Sequence, residues 1–137
     1  MNRGIYGLPL AGGTPDRERR VIQLKVFSET ANQTAGDNKL IFAISEDLNG
    51  FQLVSAEAFV TTISTAGLVT VQIRNVTSTF DMLLTLITID VGEFTSYTAD
   101  TRSDVNYSNN TVATGDRIAI DLDVPGIPRR RPVLFIV

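Results

Sequence analysis

Residues 67–76 read GLVTVQIRNV, and this alternation limits the chain more than any other feature. On an extended backbone successive side chains point to opposite faces. Leu68, Thr70, Gln72 and Arg74 therefore share one face, and Val69, Val71, Ile73 and Asn75 share the other. A helix would scatter both sets around its axis, so this segment is a strand with one buried face.

The same grammar recurs along the chain. In VIQLKVFS, Val21, Gln23 and Lys25 alternate with Ile22, Leu24 and Val26. KLIFAIS, residues 39–45, is a second strand, and Asn49-Gly50 in the following EDLNG is a strong local turn signal. FQLVSAEAFVTTIS is one long strand or two short ones, with a helical turn around Ala56, Glu57 and Ala58 as the alternative. LLTLITID, residues 83–90, is a further strand, after which VGE turns the chain and FTSYTA starts a short one. A polar, loop-rich stretch with a brief extended piece near Val112 leads to DRIAIDLDV. There Ile118, Ile120 and Leu122 face one way, and Asp121 and Asp123 the other. PVLFIV is the final strand. About eight short strands separated by polar turns, with no strand–helix alternation, predict an all-β sandwich or barrel.

The chain has 137 residues, the size of one domain, with no cysteine, histidine or tryptophan and a net charge of −3. Without histidine or cysteine, Ser-His-Asp and Cys-His machinery and the usual zinc sites cannot be assembled. No phosphate-binding loop or dinucleotide fingerprint is present. Two carboxylates could still serve a glycosidase. Yet the acids, Asp81 and Asp90 among them, sit mostly at strand ends and turns, where aspartate satisfies backbone N–H groups. Asp100, Asp104 and Asp116 offer oxygens for calcium but match no calcium-loop motif. The reading is of a protein that is not an enzyme, with no cofactor and no metal. Tyr97 and Tyr107 lie in polar surroundings and are the better surface aromatics; Phe51, Phe59 and Phe80 lie in apolar ones and read as core. Net acidity argues against nucleic acid as a partner, and no apolar window is long enough to span a membrane.

Both ends break the pattern. Residues 1–20 read MNRGIYGLPLAGGTPDRERR, where repeated glycine and proline preclude a regular packed element. A merely solvated tail has no need of Ile5, Tyr6, Leu8 and Leu10. An extended N-terminal arm over residues 1–20, ahead of a β domain over 21–137, is the expected organisation, the arm lying on a neighbouring protein. Arg17, Arg19 and Arg20 close the arm, and Arg129, Arg130 and Arg131 form a second cluster in IPRRRPV. That cluster reads as a solvated turn, a patch for an acidic partner surface or, least favoured, a phosphate contact.

The succession DLNGFQLVSAEAF, VTVQIRNVTSTFDMLLTLITIDVGE, ATGDRIAIDLD and PVLFIV resembles a β-sandwich module of tailed-bacteriophage structural proteins. The residues that carry the resemblance include Leu53, Ala56, Val71, Ile73, Asn75, Asp81, Met82, Leu83, Thr85, Ile87, Ile89, Asp90, Gly92, Glu93, Gly115, Asp116, Ile118, Ile120 and Asp121. It covers residues 47–137. The approach to the last strand departs from it, with PGIPRRRPVLFIV where the family has a Gly/Ala-rich segment.

The resemblance implies an antiparallel β-sandwich of jelly-roll type on the virion. An arm without fibre-like repeats suits a capsid decoration, or cement, protein on the capsid surface. Its partners would be the major capsid protein and further copies of itself, as a homodimer or homotrimer, with no small-molecule substrate. The arm residues Ile5, Tyr6, Leu8, Leu10, Arg17, Arg19 and Arg20, with Arg129, Arg130 and Arg131, are then the expected capsid or subunit interface. A tail- or fibre-associated adhesion module binding host-surface glycans is the alternative.

Overall fold

The computed structural model describes residues 18–27, 34–124 and 132–136. Among these residues ten strands carry the fold: β1 Ile22–Leu24, β2 Gly36–Ala43, β3 Glu57–Val60, β4 Val69–Asn75, β5 Phe80–Asp81, β6 Leu83–Thr85, β7 Ile87–Ile89, β8 Asp104–Val105, β9 Arg117–Val124 and β10 Pro132–Ile136. Among the described residues the helical structure is two single 3-10 turns, Glu46–Leu48 and Ser96–Thr98. No helix there is long and apolar enough to cross a membrane. The all-β antiparallel expectation holds, and the arrangement is sandwich-like. One sheet has the order β2-β9-β4-β5, with β7 also on β4; a second runs β1-β10-β3; β6 and β8 form a separate pair.

The alternation in β4 and β9 builds the core. Val69, Val71 and Ile73 are buried together with Ile118, Ile120 and Leu122 from β9. Ala56, Ala58 and Val60 join the same cluster from in and beside β3. The side chains of β1 follow the expected alternation, Ile22 and Leu24 half-buried and Gln23 exposed. Ala119 and Asp121, on the opposite face of β9, are also buried, so that strand is covered on both sides.

Two local expectations change. LLTLITID is not one strand. Arg74 pairs with Asp81 and Val71 with Ile87, so residues 82–86 stand opposite residues 72–73 alone. The surplus chain loops out as β6 and pairs with β8. Gln72 fills the interruption: its Nε2 donates to the Leu83 carbonyl at 3.1 Å, and its Oε1 accepts from the N–H groups of Leu83 (3.2 Å) and Ile73 (2.9 Å). The side-chain amide thus replaces a missing rung of the ladder, which is why Gln72 is buried on a face read as polar.

FTSYTA contains no strand; it bends through the 3-10 turn Ser96–Thr98, anchored where Ser96 Oγ accepts the Ala58 N–H at 2.9 Å. Asn49-Gly50 is a turn, as expected. It ends the turn Glu46–Leu48, Gly50 adopts φ +79°, and Asn49 Oδ1 accepts the Thr114 N–H at 2.9 Å.

Replacing Gln72 by Met keeps the volume but strands two N–H groups and a carbonyl. The loss should be about 1–3 kcal/mol, read as a lower urea midpoint with an unchanged denaturant slope. An unaltered midpoint would refute this role of Gln72.

Candidate functional site

An open, largely apolar groove lies between the two main sheets' ends, with a volume of about 530 Å³. Its floor is the core itself: Ile44, Ile73, Met82 and Ile118. Its walls include Leu48, Phe51, Leu53 and Val112. The wall segment is held by backbone pairing, Gly50 N–H to the Val112 carbonyl at 2.8 Å and Leu53 N–H to that of Asn110 at 2.8 Å. The buried Asn110 side chain donates back to the Leu53 carbonyl at 2.8 Å. A concavity of this size and lining accepts apolar side chains or a small apolar ligand.

Residues 18–22 form the groove's rim and run directly into edge strand β1. Arg19 and Arg20, both expected interface residues, are exposed here. Arg20 Nη2 donates to Glu18 Oε2 at 3.0 Å, and its guanidinium lies 5.9 Å from the centre of the Phe51 ring. A cation over an aromatic face is favourable, so Arg20 ties the chain to the groove wall. The other expected interface residues, Ile5, Tyr6, Leu8, Leu10, Arg17, Arg129, Arg130 and Arg131, lie outside the described residues.

A second, charged feature sits on the far face of β4 and β9. Arg74 grips Asp121 with two bonds, Nε to Oδ2 at 2.7 Å and Nη2 to Oδ1 at 3.2 Å. Nη2 also donates to Asn38 Oδ1 at 2.8 Å, and Asp121 Oδ1 accepts the Asn38 N–H at 2.7 Å. Asn38 has φ +58°, a left-handed conformation that asparagine tolerates better than most residues. The network fixes the irregularity in β2 between Gly36 and Leu40. The hydrogen bond to Asp121 raises the Arg74 pKa above its already high value, with Asp37 and Asp81 adding to the effect against some desolvation.

The expected acidic candidates resolve into structural roles. Asp90 Oδ2 accepts the Asp100 N–H at 2.9 Å, as a strand-end aspartate should. Asp81 instead stands opposite Arg74 in the β4–β5 pairing. Asp116 Oδ2 accepts from Asn75 Nδ2 and from the Ala113 N–H, both at 3.0 Å. Among the described residues no group of three or more acidic side chains is placed to hold a metal ion. Glu57, buried in β3, is paired with Arg102 and accepts from Ser96 Oγ.

Tyr97 and Tyr107 are exposed, as are Phe94 and Leu84. Phe51 and Phe80 pack against the core, and Phe59 is half-buried. The groove was not legible in the sequence, because its lining comes from segments far apart in the chain. The available signal was the apolar pair Phe51 and Leu53, in a segment read as strand that instead makes an isolated bridge, Gln52 to Thr111, and forms the groove wall. Compared with protein families, curated proteins and solved structures, the chain matches none.

Desolvation, and then the charges of Asp121, Asp37 and Asp81, push the Asp123 carboxyl above its ordinary range. The folded state therefore holds this proton more tightly than the unfolded chain. That contribution is full below the unfolded pKa and is lost as pH rises through the folded one. Asp123→Asn should give a slightly higher urea midpoint than wild type at pH 7, the difference vanishing well below the carboxylate range. A gain that persists at acid pH would point to another cause.

Proposed function

We propose that this chain is a virion structural protein, a capsid decoration protein that binds the assembled lattice of major capsid protein. In this reading it acts by binding rather than catalysis, needs no cofactor and resides on the capsid surface. It is a homodimer or homotrimer of jelly-roll type, because local capsid symmetry offers repeated sites. The resemblance of residues 47–137 to the phage module supports the context. The observation that carries the binding role is the open apolar groove, bordered by the last residues of an apolar, glycine- and proline-rich segment.

The mechanism is mass action. A ligand that binds only the assembled lattice shifts the equilibrium toward assembly. Twenty extended residues reach on the order of 60 Å, enough for the segment over residues 1–20 to cross a neighbouring subunit. Arg17, Arg19, Arg20 and the cluster Arg129, Arg130 and Arg131 would engage acidic coat surface.

Tyr97 and Tyr107 favour a second reading, since both are exposed and polar-tipped. An adhesion module binding host glycans would use such aromatics as stacking platforms.

Electron cryomicroscopy of particles separates the two. Density on the capsid lattice is expected for decoration, whereas density confined to the tail sinks it. Removing residues 1–20 should abolish capsid attachment while the circular dichroism of a β protein persists; normal decoration by the shortened chain would disprove the arm's role. Glycan-array binding lost on Tyr97→Ala and Tyr107→Ala would favour adhesion.

A further inference from the structure

We infer that, in the free protein, the apolar groove is the docking site for residues 5–10 of the same chain. Residues 18–22 form the rim, and Arg20 over Phe51 fixes that point against the wall. The seven residues Ala11 to Arg17 separate Leu10 from this rim. Fully extended they span roughly 25 Å, so residues 5–10 cannot stray far from the groove mouth. A tether this short gives an effective concentration on the order of millimolar, which favours the attached segment over any free one.

The tether also has the composition needed to double back. Gly12-Gly13-Thr14-Pro15-Asp16 combines residues that take left-handed backbone, preset a turn and satisfy one with a side chain. Residues 5–10 then match the groove in pattern. In extended conformation Tyr6, Leu8 and Leu10 share one face, and Ile5, Gly7 and Pro9 the other. One face is continuously apolar. The opposite face is narrow at Gly7 and Pro9, with Ile5 at its start, and its proline is tolerated at a sheet edge. Three large apolar side chains in a row are what an apolar trough of about 530 Å³ can cover. The alternative leaves both the trough and those side chains in water, which is unfavourable for each.

This inference concerns the free protein and does not rest on the decoration reading. If both are right, the coat lattice competes with the groove for the same segment.

The absence of cysteine allows a clean test. A nitroxide placed through Gly4→Cys leaves the apolar face intact and is the only reactive thiol. Its expected effect is strong broadening of the resonances of Leu48, Leu53 and Val112, with far weaker broadening at Thr88 and Ile89, which pair with the other end of β4. Combining the label with Tyr6→Ser, Leu8→Ser and Leu10→Ser should restore the lost intensity while the circular dichroism of the β protein is kept. Broadening that is absent, or that survives the triple substitution, overturns the proposal. So does undiminished broadening when the label sits on an isotopically silent copy mixed with a labelled one, because the occupant is then a second chain.

Discussion

Three buried polar side chains on the two central strands, Gln72, Asn75 and Asp121, determine how everything else is arranged. Asn75 is fully buried, and it donates to Asp116 while its Oδ1 accepts the Ser78 N–H at 3.0 Å. It therefore clamps the β4–β5 turn to the entrance of β9. Gln72 clamps the looped-out β6, and Asp121 clamps the bulge of β2 through Arg74 and Asn38. An apolar residue at any of these positions would bury well enough but would leave backbone groups without partners. Burial supplies the driving force here, and the polar side chains supply the register.

The groove follows from the same arrangement. Because residues 82–86 exceed the length of β4 they face, Met82 turns inward under the strand; its N–H bonds the Ile73 carbonyl at 2.8 Å. Met82 and Ile73 are buried in the core and also floor the groove, whose wall, residues 48–54, pairs with residues 110–112. A flexible, unbranched side chain suits such a floor, since it can adapt to an occupant.

Strand identity was legible wherever a segment keeps one apolar face, as in β4, β9 and β1. What alternation could not reveal was the break in LLTLITID. Leu83, Thr85, Ile87 and Ile89 keep period two straight through it, so β6 and β7 read as one strand although they pair with different partners. The burial of Asp121 was hidden for a related reason: a charged residue reads as solvent-facing until its partner, Arg74, is found 47 residues away. FTSYTA failed differently. Its β-rich composition is overruled by Ser96, whose hydroxyl takes a backbone N–H of β3. Of the candidate site, the aspartates' turn roles were readable at Asp90, whereas the groove depends on distant segments meeting.

The edge of the smaller sheet joins these points. Among the described residues β1 is a three-residue edge strand, paired only to β10, and an open edge invites pairing with other chains. Shortness is one protection. Another is what precedes it: Val21 is exposed, and Arg19 and Arg20 place two charges at the strand's start, which discourages a further strand from adding there. The same arginines border the groove, so the residues that guard the edge also mark the entrance to the apolar trough. An incoming chain is thereby steered away from extending the sheet and toward the apolar groove beside it.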